Sequence, residues 1–390
     1  MKVTGIKATP LAVPFQESHV TWTGSYTAKS TLLIEVFTDE GIIGLGEGPN
    51  CPTPEMVQIV VHEMEDAIVG FDPFLINAFH QRALSAQPKV GLVALTWKHY
   101  RNIANIATGA IDMALWDIVG KATGQPLHKL LGGKLRDEVD MFAWIHRKER
   151  DAMVRDALDF KARGFHAFYL KIGLGSRRDI DDICALREAL GPAALLRGDA
   201  NGAWTATEAI ARIREIERFN LDWVEQPVTE DDFDGFEKAG RAVAVPLCID
   251  QGAQTNALAQ QAIQRRLADV ICSDVHRVGG MQQFREMAAM AAQSAMQVCR
   301  HAGPEFGVSA TAHLHLAATI PNLTSGNQTY ATTIADDIVV EPVSQFSNGC
   351  LAVPERPGIG VTLDYDKVAK YAALYRELRK GSYRLLPPGS

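Results

Sequence analysis

The sequence has no C-x-x-C cysteine pair and no apolar run near the ~18 residues a membrane-spanning helix needs, and it carries no excess of positive charge. Each absence narrows the function. The net charge of −7 argues against nucleic acid or an anionic membrane surface as the main partner. The first twenty residues lack an apolar core followed by a small-residue cleavage site, so no secretory signal is expected. The six cysteines, Cys51, Cys184, Cys248, Cys272, Cys299 and Cys350, are widely spaced. That spacing argues against a disulfide framework or a zinc cluster, and a reducing cytoplasm is expected. Cys248, Cys272 and Cys299 sit in short apolar runs and read as buried thiols. No G-x-G-x-x-G follows the first strand pattern, so a dinucleotide fold loses its main support.

What is present has three rhythms across 390 residues. Residues 1–50 alternate in the strand manner, with a DEG turn between two β-rich runs. The following region turns helical, and IANIATGAIDMALWDIVGKATG repeats apolar residues at three- and four-residue spacing before Gly124 and Pro126. Residues 1–125 therefore read as an α+β domain. From about residue 137, seven short β-rich runs alternate with amphipathic stretches. They are VDMFAWI, AFYLKIG, ALLRGDAN, LDWVEQP, PLCIDQ, DVICSD and MQVCRH. Near-continuous apolar strands separated by helices imply a parallel sheet covered on both faces, and their number favours a closed (β/α) barrel over residues 126–335. Residues 336–390 return to turn-rich sequence and a short helix, expected to pack back on the first domain.

Ionisable and polar residues recur where the barrel strands end: Lys171, Asp199 with Asn201, Glu225, Asp250, Asp274 and His301. In such a barrel the strand ends build the active site. Asp199, Glu225 and Asp250 are separated by 26 and 25 residues, one strand–helix unit each. Three hard oxygen ligands from neighbouring strands suit Mg2+. The competing reading has each acid capping the next helix or pairing with an arginine. Asn201 either bonds a ligand of the metal or shapes its turn. Residues 16–30 carry His19, Trp22, Tyr26 and Lys29, and read as a polar, aromatic lid loop over the barrel mouth or as a surface loop packed on itself. His146 and Arg147 follow the first barrel strand and are candidates for binding substrate hydroxyls or a distal carboxylate.

With GAIDMALWDIVGKATGQPLHKLLGG, the DAN of 199–201, the EQP of 225–227, the VGG of 278–280 and PGIGV at 357–361, nearly the whole chain resembles the enolase superfamily, in its mandelate racemase and muconate-lactonising branches. The resemblance implies a modified TIM (β/α) barrel capped by an α+β domain built from both termini. It implies Mg2+ held by Asp199, Glu225 and Asp250, and removal of a proton next to a substrate carboxylate. Lys171 matches the second lysine of the family's K-x-K general-base motif, and Asp274 and His301 match the Asp–His dyad of the mandelate racemase type. Homo-oligomers are also implied.

The sequence departs from the family pattern at three places. Tyr169 replaces the first lysine of K-x-K and becomes a candidate acid or packing residue. Gln251 follows the third ligand where an acid is common, and no acid lies between Glu305 and Asp336, where mandelate racemase has a glutamate. Arg277 stands where the muconate-lactonising type has its lysine base, and arginine cannot serve as that base. The dyad branch is therefore favoured, and the expected activity is Mg2+-dependent dehydration of a sugar acid. Alternatives are a racemase or epimerase of a 2-hydroxy acid or amino acid derivative, and a non-catalytic protein that kept the fold.

Overall fold

The computed structural model describes residues 1–21, 24–49, 53–85, 98–303 and 305–380. Strands β1 (Val3–Thr21), β2 (Gly24–Thr38) and β3 (Ile43–Pro49) form an antiparallel sheet in sequence order. The DEG turn joins β2 to β3, with Gly41 at φ 79°, a left-handed conformation that glycine adopts without penalty. Helices α1 (Pro54–Ile68), α2 (Ile76–Ser85) and α3 (Lys98–Thr123) pack on this sheet around one apolar core. Thr53 caps α1 by accepting the amide of Met56, and Gly124 follows α3 at φ 67°. Within α3, Asn102–Thr123 has the length and apolarity of a membrane span, yet 78% of its most apolar window is buried inside the protein. It is a core helix. Gly44 and Gly46 let β3 lie against it, since a Cβ at Gly46 would stand 2.0 Å from the carbonyl oxygen of Ala110.

The segment 16–30 was expected to be a loop. Its described part instead extends the β1–β2 ribbon, with His19 paired to Tyr26 and Thr21 to Gly24 beyond a register shift after Pro14. Alternation of β-branched and aromatic residues over this stretch favours continued pairing once the ribbon is started. The side chains of His19 and Tyr26, and the whole of Trp22, lie outside the described residues.

After α4 (Leu127–Leu130), β4 (Glu138–Asp140) breaks away from the first barrel strand, so the run VDMFAWI divides in two. The barrel strands are β5 (Phe142–Ile145), β6 (Ala167–Lys171), β7 (Leu195–Asp199), β8 (Trp223–Glu225), β9 (Leu247–Ile249), β10 (Val270–Ser273) and β11 (Gln297–Arg300). They are parallel and hydrogen-bonded in sequence order. Helices α5 (Arg150–Ala162), α6 (Ser176–Leu190), α7 (Ala206–Ile216), α8 (Phe233–Ala242) and α9 (Asn256–Arg265) connect the first strands. The short α10 (Val275–Val278) and α11 (Met281–Gln293) follow β10, and the buried α12 (Gly307–Ala317) follows β11. An irregular segment closes the circle. The amide of Thr324 bonds the carbonyl of Val298 on β11, and Phe142 on β5 bonds the carbonyl of Asn327. This is the modified (β/α) barrel that the repeating pattern implies.

The remaining elements are β12 (Cys350–Ala352), antiparallel to β4, and α13 (Tyr365–Lys380), which packs on β1. The Tyr365 hydroxyl donates to Glu35 of β2 at 3.0 Å. Glu47 of β3 reaches the other way, accepting the backbone amides of Phe306 (2.5 Å) and Ser309 (2.9 Å) at the start of α12. Burial pushes its carboxyl up to about 8 against those two hydrogen bonds.

Candidate active site

The strand ends place one side chain each around the barrel mouth. Alternation along a strand sends residues two apart to the same face, so Lys171, Asp199, Glu225, Asp250 and Asp274 share the inner face with Tyr169, Arg197, Trp223, Cys248 and Cys272 beneath them. The four carboxylates are at most 1% exposed. Lys171 and His301 retain 14% and 15% side-chain exposure and so reach toward the opening.

Asp199 is saturated with donors. It pairs with Lys171 and Tyr169, and takes the Asn201 amide (2.7 Å) and side-chain nitrogen (2.9 Å). Lys171 Nζ also donates to Asn201 Oδ1 at 2.7 Å. Asn201 sits at φ 46°, which asparagine tolerates better than most residues. It therefore shapes the turn, the second of the roles that sequence left open, and aligns Lys171 with Asp199.

The Tyr169 hydroxyl also lies 2.9 Å from Glu225 Oε1. One hydroxyl proton cannot fully serve two ionised carboxylates. Burial, then the charges of Asp199 and Asp250, push Glu225 well above the usual carboxylate range. Burial likewise raises Tyr169, which stays a neutral donor. Glu225 Oε2 is buried and has no hydrogen-bond partner. An orphaned buried carboxylate oxygen beside two further carboxylates is a donor set that fits a hard divalent cation.

Asp250 pairs with Arg277. Asp274 caps α10, accepting the amides of His276 and Arg277 at 2.9 Å through one oxygen. Its other oxygen meets His301 Nδ1 at 2.5 Å. Arg277 Nη2 lies 3.0 Å from His301 Nε2. A guanidinium only donates, so Nε2 accepts and the proton sits on Nδ1, facing Asp274. Burial raises Asp274, but the hydrogen bond from His301 and the nearby positive charge of Arg277 outweigh it and hold the carboxyl well below the usual range. Helix capping and arginine pairing, the competing reading of the strand-end acids, thus coexist with the dyad in one set of residues.

Other expected residues fall elsewhere. Arg147 is buried in ion pairs with Asp179 (2.6 Å) and Asp182 (3.0 Å), which ties α6 to the end of β5. His146 lies near Glu17, Lys148 and Asp156, and burial lowers its pKa. Lys29 stands 4.9 Å over the Tyr330 ring, Tyr330 packs on Trp144, and Lys171 Nζ lies 5.4 Å from the Trp144 ring. Cap and barrel therefore meet through aromatic rings beside Lys171.

Sequence reading missed several residues here. Gln226, at φ 38°, accepts the amides of Asp250 (2.9 Å) and Gly252 (3.1 Å) and locks the end of β8 to that of β9. Glu305 is buried against Arg300, and burial pushes it up to about 7. The group Asp274, His276 and His313 is close enough to hold a metal. The His313 nitrogens are occupied, however, by the Val275 amide (3.3 Å) and the Ser309 carbonyl (2.8 Å). His276 Nε2 is bound at 2.5 Å to the Glu47 carbonyl. The His276 ring joins cap to barrel, and the His313 ring joins α10 to α12.

The family model described as "Enolase C-terminal domain-like" matches residues 152–368, more than half the chain, and "Mandelate racemase / muconate lactonizing enzyme, N-terminal domain" matches residues 3–132. The chain belongs to the enolase superfamily, in its mandelate racemase subgroup. This member of the superfamily is 26% identical to the N-succinyl-L-Arg/Lys racemase of Bacillus cereus over 94% of this chain and 96% of that protein. The crystal structure of that racemase superposes with a TM-score of 0.86, covering 95% of this chain and 98% of that one. The arabinonate dehydratase of Saccharolobus solfataricus is 27% identical, over 84% of this chain and 87% of that protein. A dipeptide epimerase from Enterococcus faecalis, crystallised with Mg and a dipeptide, shares the fold at TM-score 0.83 and 24% identity, covering 93% and 100% of the two chains. Relatives across this subgroup are isomerases and lyases, and this superfamily member is an enzyme.

Proposed function

We propose that this enzyme removes the proton α to a carboxylate and dehydrates a sugar acid to a 2-keto-3-deoxy acid. The observation carrying the proposal is the order of groups around the barrel. Lys171 on β6 and the Asp274–His301 pair after β10 and β11 flank the carboxylates of β7, β8 and β9. Asp199, Glu225 and Asp250 would hold Mg2+, which supplies Lewis-acid neutralisation of charge on the substrate carboxylate.

His301 Nε2, which accepts from Arg277 in the free enzyme, takes the α-proton once substrate displaces that contact, and Asp274 supports the cation that results. Lys171 Nζ, a donor to Asp199 and Asn201, delivers a proton to the departing β-hydroxyl, which leaves as water. The enol left behind takes a proton and becomes the 2-keto acid. Tyr169 holds Asp199 and Glu225 together as a neutral donor. Lys29, with His19, Trp22 and Tyr26 from the same stretch of sequence, contributes to substrate recognition from the cap, since these polar and aromatic residue types suit a hydroxylated ligand.

A second reading, racemisation or epimerisation, is favoured by the presence of two opposed candidate bases. The product separates the two: dehydration loses the mass of water, whereas epimerisation keeps it. The test is a panel of mono- and diacid sugars with Mg2+ in deuterated solvent, followed by mass and α-deuterium content. Lys171→Ala should abolish dehydration, and His301→Asn should abolish both deuterium exchange and turnover. If both variants turn over like the wild type, these assignments are wrong.

A further inference from the structure

We infer that the barrel interior directly beneath the carboxylate cluster holds a second cation site, selective for thiophilic divalent ions such as Zn2+ or Cd2+ and built from Cys248, Cys272 and Glu225. Each of these cysteines precedes a strand-end acid by two residues, Asp250 and Asp274 respectively, and so shares its inward face one layer deeper. Both thiols are fully buried. One ligand atom each from Glu225, Cys248 and Cys272 lies within 4.8 Å of the others. Two sulfurs on one tetrahedral zinc ion, with bonds of about 2.3 Å, stand about 3.8 Å apart. The three groups therefore need closure of roughly 1 Å or less to share an ion.

Glu225 Oε2, the oxygen that the Mg2+ reading also uses, is buried and has no hydrogen-bond partner among the described residues, although Oε1 of the same carboxylate accepts from Tyr169. Cys272 Sγ also accepts the Gln328 side-chain nitrogen at 3.2 Å, a donor placed to stabilise a thiolate. Cys299, registered opposite Cys272 on β11, is the adjacent thiol that can complete the shell. Soft sulfur ligands select Zn2+ or Cd2+ and are ignored by Mg2+. On binding, each coordinating thiol gives its proton to solvent and both sulfur–metal bonds form with no change of oxidation state. Because Glu225 is shared, and two cations close together repel, occupation of the Mg2+ site is expected to weaken binding at this one. That clause rests on the Mg2+ role proposed for Glu225, whereas the thiol site does not.

The test is a Cd2+ titration of the full-length, metal-stripped protein, read by the ultraviolet thiolate-to-cadmium charge-transfer band. A saturable band is expected at one equivalent. It should be lost in Cys248→Ser and in Cys272→Ser and kept in Cys184→Ser and Cys350→Ser, with circular dichroism checking that each variant is folded. Saturating Mg2+ should weaken apparent Cd2+ affinity. Absence of a band at stoichiometric Cd2+ overturns the site, as does a band that survives in the Cys248→Ser, Cys272→Ser double variant. A band indifferent to Mg2+ overturns the coupling of the two ions through Glu225, while the thiol site stands.

Discussion

Replacing Asp274 with asparagine should disable the enzyme while sparing its fold. In the native arrangement one Asp274 oxygen caps α10 and the other accepts the proton on His301 Nδ1, leaving Nε2 as an acceptor. Asparagine can keep only one of these functions. With its oxygen on the amides of His276 and Arg277, its NH2 group faces His301 Nδ1. That nitrogen must then accept, so the ring proton moves to Nε2. There it opposes the Arg277 guanidinium, which has only donors to offer. The lone pair that would take the α-proton is gone, and so is the negative charge that supports the imidazolium. General acid–base contributions are typically 10²–10⁴-fold, so kcat/KM should fall by roughly 10³, about 4 kcal/mol. Stability should change by well under that amount, since asparagine is as good an N-cap as aspartate. The assays are solvent-deuterium incorporation at the substrate α-carbon and nitrogen NMR of the His301 ring, which reads the tautomer without any substrate. Activity within tenfold of wild type, together with a ring still protonated on Nδ1, would refute the reasoning.

Three further outcomes are expected. Chelation without added metal should abolish turnover and Mg2+ should restore it; activity that survives exhaustive chelation removes the metal from the reaction. Glu47→Gln should flatten the pH dependence of stability. The folded protein holds the Glu47 proton up to about pH 8 whereas the unfolded chain releases it near 4.5. Its stabilising contribution is therefore complete below the lower value and lost as pH rises through the upper one. Urea midpoints that decline in parallel for both proteins would contradict this. Gly46→Ala drives a methyl group into the Ala110 carbonyl of α3 and should cost about 3 kcal/mol or more, read as a lower melting temperature. A wild-type melting temperature would mean that β3 and α3 can separate freely.

Much of this enzyme was legible before its structure. Apolar runs bounded by turn residues mark β6 to β11, because a strand buried on both faces must be apolar along its length. The strand-end positions of Lys171, Asp199, Glu225, Asp250, Asp274 and His301 follow from the same rhythm. Less legible was the ribbon at 16–30, where polar composition suggested a loop although pairing continues to Thr21 and Gly24. Cross-strand hydrogen bonds depend on the partner strand, and composition alone does not report it.

The sequence by itself determined the alternating architecture and the chemical inventory at the barrel mouth, since burial and periodicity act locally along the chain. Only the tertiary structure decided the partners. Arg277 meets both Asp250 and His301, Arg147 is spent on Asp179 and Asp182, and Tyr169 bridges Asp199 and Glu225. Cysteines whose wide spacing argued against a cluster converge because barrel closure sets residues some 25 positions apart side by side. Charge pairing falls off within a few ångströms. It is therefore settled by which strands are neighbours and how far each side chain reaches, neither of which a local pattern encodes.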